Sequence, residues 1–214
     1  MKTLFAVLPV SGLFVFTSAA AIFSDTFDSG PSPSWGNEVG NWTASGGVYF
    51  AQAPNNAPPT YSSLPFNLQD FSIDLDINHV QDGGVWLRSS DNQNGVLLVT
   101  GAAPNGLYWH VISGGVVSPR LNIASGLFTD GVSDAHLHIT VSGDTYSVFV
   151  NGALTPATTL TDSTFSSGKI ALYDFSPQTF DNVTVVPEPS SVFVASLLLL
   201  GCGAWRAVRR HRPL

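Results

Sequence analysis

Phe71-Ser72-Ile73-Asp74-Leu75-Asp76-Ile77 alternates apolar and polar residues without a break. A period of two puts Phe71, Ile73, Leu75 and Ile77 on one face of a strand and Ser72, Asp74 and Asp76 on the other. One face is therefore buried, and the other meets solvent or a ligand. Shorter runs of the same kind lie on both sides. Upstream are Ile22 to Asp28 and a hairpin from Asn41-Trp42-Thr43 to Gly47-Val48-Tyr49-Phe50, then a Pro- and Asn-rich loop from Ala53 to Thr60. Downstream come Gly83 to Arg88, Val96 to Val99, Leu107 to Ile112, Gly115 to Arg120, Ala135 to Val141, Tyr146 to Val150, Lys169 to Tyr173 and Thr179 to Val185. Ser142-Gly143-Asp144 and Asn151-Gly152 supply turns between them. About twelve short strands at near-regular spacing predict a two-sheet antiparallel sandwich, an all-β fold.

Composition agrees. Only 11% of residues are charged, and no Lys/Glu-rich amphipathic segment offers a helix an exposed face. Between Ile22 and Val186, thirteen aspartates and Glu38 stand against Lys169, Arg88 and Arg120, a net charge of −11. Nucleic acid and acidic polysaccharide are poor partners for such a domain by bulk charge. The single cysteine, Cys202, rules out an internal disulfide.

The two ends read differently from the middle. Lys2, then the apolar stretch from Leu4 to Phe16, then Ala19-Ala20-Ala21 form the basic tip, apolar centre and small-residue exit of a secretory signal peptide over residues 1–21. At the other end, Pro187-Glu188-Pro189 punctuates the chain, since proline lacks an amide donor and disfavours helix in the residue before it. Val192 to Trp205 contains no charge, and Arg206, Arg209, Arg210 and Arg212 follow it, the order of a membrane stop held by cytoplasmic positive charge. Residues 22–185 are left as one exported sandwich domain, with 186–214 as the tail.

The tail, in Val186-Pro187-Glu188-Pro189-Ser190, the apolar run and the Arg cluster, resembles the PEP-CTERM sorting domain of bacterial surface proteins. That resemblance implies the general secretion machinery and a membrane-embedded exosortase as partners. The protein would be tethered to the inner membrane through a C-terminal helix before processing, and would lie at the cell surface or in the extracellular matrix afterwards. A plain single-span anchor is the other reading of the same residues.

The middle is similar to the concanavalin A-like (laminin G-like) jelly roll in the order of several blocks. These are Asp25-Thr26-Phe27 with Trp35 and Trp42, Gly84-Val85-Trp86-Leu87-Arg88-Ser89-Ser90-Asp91 with Asn94-Gly95, Leu137 to Gly143 with Val148 to Gly152, and Gly168 to Leu172 with Phe180 to Val183. Lectins, sugar-binding modules, glycan hydrolases and adhesion domains share that fold, so function has to come from a site. Relatives of this kind often hold calcium near their first and last strands, which implies Asp25 and Asp181 as candidates here. The competing reading makes both aspartates turn and strand-end caps.

Sugars take a flat apolar or aromatic surface against their C–H face and polar side chains for their hydroxyls. Asp74, Asp76, Trp86 and Arg88 are expected to share the solvent-facing side of adjacent strands, with Val85 and Leu87 on the other side. Tyr108 and His110 join them if Leu107, Trp109 and Val111 point inward. The competing expectation puts Trp86 in the core and Arg88 on Asp74 or Asp76 as a structural pair. Asp74 and Asp76 could also serve a hydrolase or lyase, but the Glu-x-Asp-x-x-Glu signature of the hydrolase branch is missing, and Glu38 is the only glutamate between Ile22 and Val186. His136 and His138 lie two apart on one strand with no third Cys, His or Glu at ligand spacing, and read as exposed strand histidines. The expectation is a non-enzymatic surface protein that contacts extracellular polysaccharide; a glycan-cleaving enzyme and a purely structural matrix protein stay open beside it.

Overall fold

The computed structural model describes residues 20–101 and 105–188. Residues 1–19 of the expected signal peptide (1–21), and the expected tail from Pro189 through Arg206, Arg209, Arg210 and Arg212, lie outside the described residues. Among the described residues there is no helix, and so none long and apolar enough to cross a membrane.

The chain forms β1 (Phe23–Asp25), β2 (Trp42–Ser45), β3 (Val48–Ala51), β4 (Ser62–Ser63) and β5 (Phe71–Asn78). Next come β6 (Gly83–Asp91), β7 (Asn94–Gly101), β8 (Gly106–Ser113), β9 (Val116–Val117) and β10 (Leu121–Ala124). Then follow β11 (Ala135–Ser142), β12 (Thr145–Val150), β13 (Thr158–Thr161), β14 (Lys169–Asp174) and β15 (Thr179–Pro187). They make two sheets, one in the order β13-β12-β11-β5-β15-β3-β2 with β1 also on β15, the other β10-β8-β7-β6-β14-β4 with β9 on β8. Every strand pairing is antiparallel.

The alternation in β5 does what its period requires. Phe71, Ile73, Leu75 and Ile77 are buried between the sheets. There they join Leu137, Ile139 and Val141 of β11 and, from the opposite sheet, Val85, Leu87, Val96, Leu98, Leu107 and Trp109. At one edge Phe27, Trp42 and Tyr49 stack, with ring centroids 5.0 Å (Phe27 to Tyr49) and 5.1 Å (Trp42 to Tyr49) apart. At the other edge Trp109 Nε1 donates to Thr158 Oγ1 (3.1 Å) and Asn122 Nδ2 donates to the Thr159 carbonyl (2.6 Å), joining β8 and β10 to β13 across the sandwich.

The second sheet is apolar on both faces. A separate cluster of Tyr61, Trp86, Leu97, Val99, Tyr108, Ile112, Ala171 and Tyr173 lies on its outer side. Continuous runs such as Val96-Leu97-Leu98-Val99 belong to strands covered twice, and the cover here comes from the Pro-rich loop on one side and the segment after β8 on the other.

One expectation about the chain is corrected. Gly115 to Arg120 is not one strand: β9 spans only Val116–Val117, and β10 pairs with β8 further on. Pro187-Glu188 closes the strand before it, two residues beyond the expected boundary at Val185. β15 pairs through Val186 opposite Ser72 and Pro187 opposite Phe71, and the Glu188 amide donates to the Asp70 carbonyl at 2.9 Å. Ser72 Oγ also donates to Glu188 Oε1 (3.1 Å). Proline is tolerated at a strand terminus, where its missing donor costs little.

Candidate functional site

On β8, Leu107 and Trp109 enter the core while Tyr108 and Ile112 belong to the outer cluster, so His110 faces outward between them. β7 pairs beside it with Val99 opposite Tyr108 and Leu97 opposite His110, which puts Leu97 and Val99 on the same outer face. Together they floor a groove of about 560 Å³. One wall is the loop from Asn56 to Pro59, held where Asn92 Nδ2 donates to the Pro59 carbonyl (2.9 Å). The opposite wall contains Gly115, Val117 and Arg120. Asn92 and Gln93, in the β6–β7 turn, close one end; Asp82 and Tyr173 stand at the other.

The polar groups of the groove are fixed by their partners. His110 Nδ1 lies 2.7 Å from the Ser118 carbonyl. A carbonyl only accepts, so Nδ1 carries the proton and Nε2 keeps a lone pair. Burial lowers the His110 pKa, which keeps the ring neutral. Burial raises the pKa of Asp82, while the Tyr173 hydroxyl (3.4 Å from Oδ1) and the Arg120 charge pull it back. The Arg120 guanidinium sits over the Tyr108 ring, 4.5 Å from its centroid. Tyr108 is itself raised, by burial first and then by the Asp82 charge.

Of the residues singled out from sequence, Tyr108 and His110 are together in this groove and the others are not. Asp74 and Asp76 are on β5, whose sheet neighbours are β11 and β15, whereas Trp86 and Arg88 are on β6 in the opposite sheet. The four do not share a surface. Trp86 is fully buried in the outer cluster, its ring edge-on to Tyr61 with centroids 6.0 Å apart. Arg88 is 1% exposed. A bulge between Leu87 and Asp91 and a left-handed backbone at Arg88 (φ 47°) break the alternation and turn this side chain to the end of the core. There it donates to the carbonyls of Gln69 (2.6 and 2.9 Å), Gly143 (2.7 Å) and Phe165 (3.0 Å), and to the Tyr146 hydroxyl (3.3 Å). Its carboxylate partner is Asp70, at 3.5 Å, and not Asp74 or Asp76.

Asp74 and Asp76 lie on the outer face of the first sheet, opposite His138 and His136 respectively. His138 Nδ1 is 2.9 Å from Asp74 Oδ1, and His136 Nδ1 is 2.7 Å from Asp76 Oδ1. His136 Nε2 also approaches Asp74 Oδ1 at 3.4 Å, and Asn182 Nδ2 donates to Asp76 Oδ2 (2.8 Å). Both histidines are partly exposed, as their sequence position suggested.

Asp25 organises its own loop. It accepts from the Phe27 amide (3.0 Å), the Ser32 amide (2.7 Å) and Trp35 Nε1 (3.0 Å), while Asp181 accepts from the Asn182 amide (2.6 Å). These are capping bonds. Among the described residues no three His, Cys, Asp or Glu side chains converge as metal ligands.

Sequence reading missed Asp82, Asn92, Gln93, Leu97, Arg120 and Tyr173. The available signal was the doubly apolar reading of Val85-Trp86-Leu87 and Val96 to Val99, which marks the second sheet as the one whose outer face is roofed.

No protein-family description and no curated protein matches this sequence. Solved structures do resemble it. The carbohydrate-binding module CBM66 from Bacillus subtilis is 19% identical with a TM-score of 0.62, over 72% of this chain and 95% of that one. The exoplasmic/lumenal domain of VIP36, solved with Ca2+ and Man3GlcNAc, is 11% identical with a TM-score of 0.56, over 78% of this chain and 89% of that one. A Parabacteroides distasonis protein named as a proposed glycosyl hydrolase is 14% identical with a TM-score of 0.54, over 80% of this chain and all of that one. At such identities the likeness is one of fold, and the chain is an all-β, two-sheet antiparallel sandwich of the kind these structures share.

Proposed function

We propose that this protein is an exported, non-catalytic β-sandwich that contacts polysaccharide through the groove on the outer face of its second sheet. The observation that carries the reading is the groove itself: an apolar floor of Leu97, Val99 and Ile112, with Tyr108, His110, Asp82, Arg120 and two amides around it. Apolar surface accepts the C–H face of a sugar while fixed polar groups select its hydroxyls. The carbohydrate-binding module and the glycan-bound domain named above support the same reading. Export, exosortase sorting and a final place at the surface or in the matrix rest on the two ends of the sequence.

Against hydrolysis, the acid-and-base mechanism needs two carboxylates about 5 to 9 Å apart across the scissile bond. Asp82 is the one carboxylate lining the groove, and Asp74 and Asp76 are engaged with histidines on the other sheet.

The test is affinity electrophoresis of the protein isolated from its host, through gels containing the host's extracellular polysaccharide, with and without calcium. Retardation is expected, and it is expected to be lost in His110→Ala and kept in the Asp74→Asn/Asp76→Asn double variant. Loss in the double variant with retention in His110→Ala would move the site to the first sheet. Unchanged mobility throughout would leave a structural matrix protein as the account, and the appearance of shortened glycan would restore the enzyme.

A further inference from the structure

The end of the groove where Asp82 and Arg120 stand carries a chemical preference. This argument rests on the groove being the sugar-contacting site and asks which sugars it accepts. Asp82 is the residue just before β6, and Tyr173, opposite Gly84 in the neighbouring strand, reaches it with its hydroxyl. Arg120 is held against the Tyr108 ring and is close enough to draw the Asp82 pKa downward. An acceptor and a donor of opposite charge thus line the same groove within electrostatic reach of each other. Adjacent hydroxyls on a sugar ring match that pair: one gives its proton to the carboxylate, and the oxygen of the other accepts from the guanidinium.

Charge balance narrows the class further. The groove is lined by one acid, Asp82, one permanent cation, Arg120, and His110, whose ring is held neutral. The one cation of the groove stands near Asp82, so a uronate carboxylate or a sulfate ester drawn to it would face that carboxylate in a partly dry cleft. The −11 charge of the exported domain opposes an anionic chain over longer distances too. From Tyr108 to Ile112 the floor is about 14 Å long at ~3.4 Å per residue, enough for a short run of pyranose units. The lone pair on His110 Nε2 stands midway along it, a second acceptor for a hydroxyl.

We infer that the groove binds a neutral glycan, with Asp82 and Arg120 together clamping adjacent hydroxyls of one sugar unit at the end of the site.

The experiment is calorimetric titration of the isolated protein with neutral polysaccharides (a glucan, a galactan, a mannan and a fructan) and with uronate-containing and sulfated ones, at low and high salt. Wild type, Asp82→Asn and Arg120→Gln are compared, with thermal melts to confirm that each is folded. Binding of at least one neutral glycan is expected, nearly independent of salt, and weakened about tenfold or more in either variant, as loss of a charge-assisted hydrogen bond implies. Tighter binding of an anionic glycan, strengthened in Asp82→Asn and abolished by salt, would overturn the neutral class while leaving the groove as the site. Neutral binding undiminished in both variants would overturn the clamp. Failure of every glycan to bind wild type would instead remove the groove reading itself.

Discussion

Arg88 is the residue whose position differs most from its sequence pattern, and it holds together more of the chain than any other polar side chain described. Its guanidinium supplies donors to three backbone carbonyls from the segments before β5, between β11 and β12, and before β14. Arg88→Met is expected to leave those acceptors unpaired and to cost about 3 to 5 kcal/mol, read as a drop in the urea midpoint. Arg88→Lys recovers little of it, because an ammonium cannot reproduce the fork. Asp174 is the converse case, a buried carboxylate with no cation beside it. It accepts from the Ala51 amide (3.0 Å) and the Ser176 amide (3.3 Å), and burial, the largest cause, pushes its pKa up to about 7. A carboxyl whose folded pKa lies above its unfolded value of 3.8 binds its proton more tightly when folded. Its stabilising contribution is complete below pH 3.8 and is lost as pH rises to about 7. Asp82 is shifted in the same direction, whereas His110, lowered by burial, has the opposite sign: its contribution is lost as pH falls below 6.5. Asp174→Asn isolates the largest of these. Its denaturant midpoint should lack the decline expected of wild type between pH 3.8 and about 7, and an unchanged slope would show that Asp174 is not the group titrating.

Among the elements, β5 and β6 teach opposite lessons. β5 was legible because its period is unbroken and one side is polar: His136 and His138 face Asp76 and Asp74 on that side in strict register. β6 was not, because Trp86 is large enough to be roofed by Tyr61 and because the bulge after Leu87 sends Arg88 inward. A single irregular residue reverses the facing of everything read past it. Tyr108 and His110 were legible for the same reason as β5, since β8 alternates without interruption between Leu107, Trp109 and their outward neighbours. Asp82, Arg120 and the 56–59 loop come to the groove from three separate connections, β5–β6, β9–β10 and β3–β4, and nothing local in the sequence brings them together. β6 is also pinned closely to β7. At Gly84 (φ 149°) an added Cβ would meet the Leu98 carbonyl of the neighbouring strand. Gly84→Ala should cost about 2 kcal/mol or more, with hydrogen exchange accelerated first at the β6–β7 amides; uniform acceleration would mean that the strain is shared through the sheet.

At the scale of the molecule, both sheets contribute to one core, Trp109 from the second meeting Tyr146 from the first with ring centroids 6.1 Å apart. Unfolding is therefore expected to be a single transition, with tryptophan fluorescence and far-ultraviolet circular dichroism coinciding; separated curves would assign the sheets independent stability. The two-layer, all-β architecture was readable from the spacing of strands and turns. The short pieces β4, β10 and β13 were not, because two to four residues carry no usable period and take their place from the strands they pair with. The run of β15 through Pro187 also sets a direction. Ile22 donates to the Val185 carbonyl and Glu188 to that of Asp70, so both flanks leave from one pole, the pole where Arg88 reaches Gln69. Asp82 lies at the opposite pole, six residues back along β6, about 20 Å away. A body held through either flank would therefore stand upright on its attachment, with the Asp82 end of its groove outermost.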